Sequence, residues 1–206
     1  MLKIFSIIEE EFMSEKKDLK KERQEHILQK AVELFALKGY EGLKTVDFAK
    51  ASNMSLGLMY HYFKDKKTLY NQVILYCLYE FNNYLEDIFK DSDTFFTNLA
   101  HFAVNDFKKE PLYAHMYIVL ADADINSAEI LDETREKIKK INEKTLVNTI
   151  RIIEYNQEKG VFRPANPFAL ARIFWGMIES VMKMITRGYE RDLPEPEWLI
   201  CILTGK

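Results

Sequence analysis

The sequence has few residues that interrupt or cross-link a chain. Its 206 residues include two cysteines, seven glycines and five prolines, and strand-like alternation of apolar and polar residues is sustained nowhere. This pattern predicts an all-helical fold. Cys77 and Cys201 form no CxxC motif and lie in apolar surroundings, so we expect two reduced core residues of a cytoplasmic protein.

Long hydrophobic runs are also missing. Glu179 and Lys183 interrupt the best candidate, which leaves no segment near the ~20 apolar residues that span a bilayer, so we expect no membrane partner. The run from Ile4 to Ile8 is too short for a secretory leader. Because Met13 opens the sequence Met-Ser-Glu-Lys-Lys, residues 1–12 are either an extension ahead of the natural start or an amphipathic arm.

The motifs of helical and phosphate-binding enzymes are absent. No histidine has a glutamate three positions before it, as the inward-facing ligands of di-metal bundles require. There is no glycine-rich phosphate loop and no Gly-x-Ser-x-Gly elbow. We therefore expect a protein that is not an enzyme and that holds no metal or cofactor.

Positive charge is concentrated near the N-terminus. Residues 14–70 hold 12 basic and 8 acidic side chains, whereas residues 71–206 hold 16 and 21. Attraction to phosphate is local, so an acidic chain with a basic end is compatible with DNA binding. The first basic residues form either an arm that reaches the DNA backbone or a solvated lead-in, and they are Lys16, Lys17, Lys20, Lys21 and Arg23.

Residues 27–69 have the pattern of three short helices and the start of a fourth. An apolar stripe marks the first helix, and Gly39 is expected to end it. The second helix should run from about Thr45 to Ser52, with a tight turn at Asn53, which tolerates left-handed backbone angles. Ser55 is a natural N-cap for a third helix that begins near Leu56. This arrangement predicts a helix-turn-helix DNA reader, with the third helix anchored by Met54, Met59 and Phe63.

This segment resembles the DNA-binding domain of the tetracycline repressor (TetR) family. Three family motifs match in register, at Phe35, Gly39 and Tyr40, then at Met54, Ser55, Gly57, Met59, Tyr60, Tyr62 and Phe63, and then at Phe63, Lys66 and Leu69. The resemblance implies an N-terminal helix-turn-helix domain followed by a larger helical ligand-binding and dimerisation domain. We expect an N-terminal extension or arm over residues 1–19, the DNA-binding domain over 20–66 and the larger domain over 67–206.

The resemblance also implies which residues meet DNA. Tyr60 and Tyr62 should donate to phosphate oxygens, Lys66 should meet the backbone at a helix start capped by Asp65, and Gly57 should allow close approach. His61 is expected to contact either a base or a phosphate. The full set of expected DNA contacts is Lys44, Thr45, Ser55, Leu56, Gly57, Leu58, Tyr60, His61, Tyr62 and Lys66.

Two leucines depart from the family pattern. Leu56 and Leu58 stand where polar residues are common, and neither can hydrogen-bond a base. Apolar side chains pack on thymine methyl groups, so we expect a site rich in A·T contacts. The same leucines keep open an alternative, a helical ligand-binding bundle with weak or lost DNA affinity. Leu43 and Lys44 also replace the usual serine or threonine, so capping of the second helix is expected to shift to Thr45.

The rest of the chain has the pattern of further helices. Periodicity and breakers predict a long helix after Asp65 up to about Ile88, followed by helices over Thr94–Lys109, Pro111–Ala121, Ser127–Lys159, Pro167–Arg187 and Pro196–Leu203. The stretch from Gly160 to Arg163 and the pair Asn166 and Pro167 resemble the same family, in which the last two helices form a four-helix dimer interface. The expected interface residues, which alternatively fill the core of one chain, are Phe168, Ala171, Trp175, Ile178, Met182, Trp198 and Ile202.

The larger domain is also expected to hold a ligand pocket. Candidate lining residues, which alternatively are plain core, are His101, Phe102, Tyr113, Met116, Tyr117, Tyr155 and Phe174. The resemblance implies a repressor that binds a palindromic double-stranded DNA operator as a homodimer. A small apolar or amphipathic inducer is expected to release it.

Overall fold

A computed structural model describes residues 23–205 of the chain, and this part contains helices and no strand. The basic residues expected in an N-terminal arm lie outside the described residues, apart from Arg23. The chain divides into two compact units, residues 1–73 and 74–206. The division falls within the fourth helix.

Nine α-helices follow one another along the described residues. The first, α1, is helical over residues 23–42. The others are α2 (Thr45–Ala51), α3 (Leu56–Tyr62), α4 (Lys66–Ile88), α5 (Phe95–His101), α6 (Pro111–Asp122), α7 (Asp132–Glu158), α8 (Pro167–Thr186) and α9 (Pro196–Thr204). The all-helical fold expected from the sequence is thus confirmed.

In the first unit, α1 differs from its predicted length. Gly39 has the left-handed φ of +66° expected of a helix terminus, but the helix continues to residue 42. Tyr40, directly after the glycine, packs on Phe35 and Tyr70, with its ring centroid 6.4 Å and 4.8 Å from theirs. This aromatic packing stabilises the last turn of the helix, so Gly39 lies within α1 instead of ending it.

The turn between α2 and α3 confirms the helix-turn-helix pattern. Asn53 has a φ of +51°, and the N–H of Met54 donates to the carbonyl of Ala49 over 2.8 Å. Met59 and Phe63 are fully buried, as expected of anchors. The predicted cap of α2 is wrong, because Lys44 occupies the N-cap position without a side-chain hydrogen bond and Thr45 is already helical.

The second unit is built around a core of phenylalanine rings. Phe96 contacts Phe174 and Phe162, with ring centroids 4.8 Å and 5.3 Å apart. These rings bring α5 and α8 together with the turn that follows α7. The N–H of Arg163 donates to the carbonyl of Leu203 over 2.8 Å, which ties this turn to α9.

Two predicted helices of this unit have different bounds. The helix expected over residues 94–109 is α-helical only to His101, then continues as a π-helical turn (Phe102–Asp106) and a 3₁₀ turn (Phe107–Lys109). Burial of the Phe102 and Phe107 rings accompanies this change of pitch. The long helix α7 begins at Asp132 instead of Ser127, because residues 123–131 form turns. The caps predicted at Gly160 and Asn166 are confirmed, with a φ of +69° at the glycine and a 3.0 Å bond from the Ala169 N–H to the Asn166 side chain.

Candidate DNA-binding and ligand sites

The outward face of α3 carries most of the expected DNA contacts. The hydroxyl oxygen of Ser55 accepts a bond from the N–H of Leu58 over 3.1 Å, which confirms it as the N-cap. Met59 is buried, whereas Tyr60 and Leu56 are 46% and 39% exposed. His61 is exposed as well, and its ring lies edge-on to Tyr62 with 5.8 Å between centroids. One side of the helix therefore packs inward and the other is available to a partner.

The packing of the chain does not require glycine at position 57. A Cβ atom built at this position would meet no other atom within 4 Å. Glycine in a helix costs about 0.5–1 kcal/mol relative to alanine, so its presence in a helix of seven residues is unfavourable for folding. Such a position is typical of a surface that another molecule approaches closely.

The start of α4 adds positive charge and a cap beside α3. The Asp65 carboxylate accepts a 2.7 Å bond from the N–H of Thr68. Hydrogen bonds from the backbone and side chain of Thr68 lower the pKa of Asp65, so the carboxylate is charged at neutral pH. Lys66 lies with its Nζ atom 4.2 Å from the centre of the Tyr40 ring, which orients this lysine.

Two further basic residues belong to this surface and were missed in the sequence. Lys64 and Lys67 flank Asp65 and Lys66, and neither forms an ion pair with a residue that the structure describes. The run of three lysines in four positions was the available signal. Lys44 is exposed at the start of α2, and Thr45 and Leu58 are half-buried.

The second unit contains an open cleft of about 780 Å³. Its lining is mostly apolar, with leucine, isoleucine and aromatic side chains from α4, α6 and α7, and it carries a few polar groups. Its lining includes Leu78, Phe81, Tyr84, Leu120, Ile141 and Trp175. A cleft of this size lies within the range of ~300–1,000 Å³ that is common for small-molecule sites.

The structure brings only two of the seven predicted pocket residues to this cleft. Phe102 and Tyr117 line it. Met116 and Phe174 are buried in the core, and Tyr113 packs beside Phe102 with ring centroids 5.8 Å apart but does not line the cleft. His101 and Tyr155 are exposed elsewhere, the first 3.7 Å from the Glu197 carboxylate and the second beneath the Lys159 ammonium. Those five residues do not line this cleft.

Helix α4 supplies the side of the cleft that the sequence did not reveal. Its apolar residues continue the stripe that begins at Leu69, so they had the pattern of ordinary core. Two tyrosines provide hydrogen-bonding groups within the lining. The Tyr117 hydroxyl donates to the Glu179 carbonyl over 2.9 Å, and burial raises the pKa of Tyr84 to about 12. Both phenols are therefore neutral at physiological pH.

Helices α8 and α9 expose large apolar side chains. Trp198, Phe168 and Ile173 are 65%, 54% and 48% exposed, and Ile173 was missed in the sequence. Ile202 is half-buried. We call Phe168, Ile173, Trp198 and Ile202 the outward apolar face.

Several residues predicted at a dimer interface are buried within the chain itself. Ala171, Ile178 and Met182 belong to the core of the second unit, so they cannot also contact a second subunit. The indole N–H of Trp175 donates to the Thr149 hydroxyl over 3.1 Å, which holds this ring against α7. Helical spacing groups residues on one face but does not say whether that face packs on its own chain or on another.

Gly176 of α8 repeats the situation of Gly57. It is exposed in the middle of a 20-residue helix, and a Cβ atom there would meet nothing within 4 Å. Packing within the chain gives no reason for glycine at this position. Gly176 lines the cleft, together with Arg172, Glu179 and Lys183 of the same helix.

Two other kinds of site are absent from the described residues. Across residues 23–205, no three His, Cys, Asp or Glu side chains come together as a metal ion would require. None of the helices described is long and apolar enough to cross a membrane.

Known proteins match the chain most clearly at its helix-turn-helix. Residues 27–73 match the family of bacterial regulatory proteins called the tetR family. IcaR of Staphylococcus aureus (strain Newman), a negative transcriptional regulator of the biofilm operon icaADBC, is 30% identical over 100 residues, which are 48% of this chain and 54% of IcaR. The match thus spans about half the length of that relative. The HTH-type transcriptional regulator YhgD of Bacillus subtilis (strain 168) is 24% identical over 163 residues, covering 76% of this chain and 83% of YhgD.

Solved structures share the fold over most of the chain. The TetR family regulator PfmR from Thermus thermophilus has a TM-score of 0.69 at 22% identity, over 86% of this chain and 96% of PfmR. FadR from Bacillus subtilis, in complex with stearoyl-CoA, has a TM-score of 0.65 at 17% identity, over 89% and 99% of the two chains. AibR, in complex with isovaleryl coenzyme A and operator DNA, has a TM-score of 0.65 at 20% identity, over 88% and 98%.

A helix-turn-helix unit followed by a larger helical unit defines a class of DNA-binding transcriptional regulators. Residues 27–73 belong to the tetR family of bacterial regulatory proteins. Over most of its length the chain has the fold of solved TetR family regulators such as PfmR.

Proposed function

We propose that the protein is a ligand-responsive repressor that binds a palindromic operator as a homodimer. A small apolar or amphipathic molecule in the cleft of the second unit releases it from DNA. The observation that carries this proposal is the outward face of α3, where Gly57, Tyr60 and His61 are exposed and take no part in the core.

The α3 surface suits a major groove. An α-helix fits the groove when its backbone can approach, and an open glycine removes the side chain that would hold it away. Tyrosine hydroxyls at positions 60 and 62 and lysines at 64, 66 and 67 are groups that bond phosphate oxygens. Base discrimination is then left to Leu56 and His61, which favours contact with thymine methyl groups at Leu56.

The outward apolar face supports the homodimer. In a monomer, water would contact the large apolar side chains of Phe168, Ile173 and Trp198. Large exposed apolar side chains typically mark an interface. Two copies related by a twofold axis present two reading helices, which match the two half-sites of a palindrome. Repression as the outcome is supported by IcaR, which is a negative transcriptional regulator.

The cleft supports a ligand that is apolar for most of its length. Its lining combines apolar side chains with the hydroxyls of Tyr84 and Tyr117 and the charged groups of Arg172, Glu179 and Lys183. FadR and AibR were solved with stearoyl-CoA and isovaleryl coenzyme A, which are acyl groups on a charged carrier. An acyl compound is therefore the first ligand class to test here.

The test is operator binding, measured by fluorescence anisotropy with DNA from upstream of the protein's own gene. We expect saturable binding that weakens with salt, a palindromic footprint, and release by stearoyl-CoA or a shorter acyl-CoA. Tyr60→Ala should weaken binding about tenfold through loss of a phosphate contact and packing on DNA. Tyr189→Ala, at an exposed tyrosine outside α3, is the matched control and should have no effect. No binding even at low salt would favour the helical ligand-binding bundle instead.

A further inference from the structure

One wall of the cleft is not helical. The 123–131 segment joins α6 to α7, and its residues Ala123 and Ile125 line the cleft. Every other described lining residue lies on a helix, including α4, α7 and α8 with 23, 27 and 20 residues. A wall made of turns opens at lower cost than one made of long helices, because fewer cooperative hydrogen bonds are lost.

One side chain bonds several carbonyls of this segment. The Nε atom of Arg135, in the first turn of α7, donates to the carbonyl of Ile125 over 2.8 Å. Its terminal nitrogens donate to the carbonyls of Ser127 and Ile130, both over 3.3 Å, and to the Asp132 carboxylate over 2.9 Å. Three carbonyl oxygens of a non-helical segment are thus gathered by one guanidinium group.

The geometry of arginine is what makes this possible. A guanidinium group offers five N–H donors in one rigid plane, and hydrogen bonds from a charged donor are stronger than neutral ones. A lysine ammonium has the same charge but no planar fork, so it cannot reproduce the set of bonds. The Asp132 pair contributes little by itself, because that carboxylate is almost fully exposed. The hydrogen bonds from Arg135 to the three carbonyl oxygens are therefore the contacts that hold the segment.

We propose that Arg135 is the positioning residue of the cleft wall, and that small molecules enter and leave past the 123–131 segment when its guanidinium releases the three carbonyls. This inference rests on the proposed ligand response of the same cleft. Ile130 is buried and stays as the anchor of the segment, while Ala123 and Ile125 are the part that moves. Arg135 acts through the wall and does not itself touch the ligand.

The experiment follows the entry of a dye, 8-anilinonaphthalene-1-sulfonate, by stopped-flow fluorescence in the full-length protein. A Trp198→Phe background leaves Trp175, which lines the cleft, as the only tryptophan, so energy transfer from it reports dye in the cleft. Arg135→Gln should raise the association and dissociation rate constants together by about tenfold, since charged hydrogen bonds are lost from the closed state. The dissociation constant should change by less than about threefold, because the bound state keeps its other contacts.

Two further variants separate geometry from charge and from general destabilisation. Arg135→Lys should behave like Arg135→Gln, because it keeps the charge and loses the fork. Arg151→Gln, at an exposed arginine farther along α7, is the matched control and should leave both rate constants unchanged. Hydrogen exchange measured by mass spectrometry should be faster over residues 123–131 in both Arg135 variants and unchanged over residues 145–158.

The outcomes distinguish this inference from the proposed function. Saturable dye binding with unchanged rate constants in the Arg135 variants would overturn the entry route and leave the ligand cleft intact. Slower entry, or a dissociation constant that rises while the association rate stays constant, would also overturn it. Failure of the dye to bind the unmodified protein would contradict the ligand site itself, together with this inference, whereas operator binding would stand on its own measurement.

Discussion

The exposed faces of α3 and α8 carry different aromatic side chains. On α3 the exposed tyrosine is Tyr60, whose hydroxyl can bond a phosphate oxygen. On α8 the exposed large hydrophobic residues are Phe168 and Ile173, which have no polar atom to offer. Exposure alone does not identify a binding surface, but the chemistry at the tip of the exposed side chain indicates which partner it suits.

The exposed glycines of α3 and α8 can be compared in the same way. Gly57 and Gly176 both have room for a methyl group, so neither is required by the packing of its own unit. Both occupy helices, where glycine is unfavourable. We infer that each is retained for a partner, DNA at Gly57 and a ligand of the cleft at Gly176, which lines it, and the following experiments test this assignment.

The largest effect is expected from Trp198→Asp. A charge placed within the outward apolar face should weaken the dimer by about 30-fold or more, as loss of a buried tryptophan at an interface typically costs ~2–4 kcal/mol. Operator affinity should fall with it, because two half-sites are no longer bound together. Sedimentation velocity and anisotropy measure the two quantities. Val147→Asp, at a residue 46% exposed on α7, is the control, and a Trp198→Asp protein that remains dimeric would refute the interface.

The next effects are expected from alanine substitutions at Gly57 and Gly176, which should change different functions of the protein. Gly57→Ala should lower operator affinity about tenfold by intruding on the groove, and should leave the dimer unchanged. Gly176→Ala should weaken binding of a ligand in the cleft and leave operator affinity in the absence of ligand unchanged. Each helix should become more stable by about 0.5–1 kcal/mol. If Gly57→Ala bound the operator as tightly as the original protein, close approach at this position would be excluded.

A smaller effect tests base recognition by Leu56. Replacing thymine by uracil under α3 removes only the methyl group and should weaken binding about fourfold per contacted base, from the ~0.8 kcal/mol of one buried methyl group. In the Leu56→Ala protein the same replacement should have no effect. Anisotropy with the two DNAs gives the comparison. Equal sensitivity of both proteins to uracil would assign the thymine contact to another residue.

The smallest effect concerns folding of the first unit. Asp65→Ala removes the exposed cap-type bond to Thr68 and should lower the free energy of unfolding by about 0.5 kcal/mol at neutral pH. Because hydrogen bonding lowers the pKa of Asp65 in the folded state, its contribution is full above the ordinary value of 3.8 and is lost as pH falls through the lowered value. Thermal unfolding from pH 7 to pH 2 should therefore show the two proteins converging in acid. A difference that persists at the lowest pH would point to packing instead.

The sequence was a good guide where local chemistry decides the structure. The left-handed turn at Asn53, the caps at Ser55 and Asn166 and the burial of Met59 all depend on neighbours within a few residues. The exposed side of α3 followed from the same pattern. These features are confirmed because short-range hydrogen bonds and steric limits are encoded directly in residue type.

The errors arose where long-range packing decides. The cleft is assembled from five helices and one segment, and no sequence spacing shows that Phe81 of α4 and Trp175 of α8 both line it. The start of α7 was misplaced because Arg135 holds distant carbonyls that periodicity does not reveal. Ala171, Ile178 and Met182 matched a helical face equally well for either packing partner.

The two cysteines have opposite environments, although both were expected in the core. Cys77 is fully buried, and burial raises the pKa of its thiol, so it stays protonated and unreactive. Cys201 is exposed on α9, near the outward apolar face. The native chain therefore offers one position for a maleimide dye without any mutation. The rate of labelling against protein concentration would report how much of that face a second copy covers.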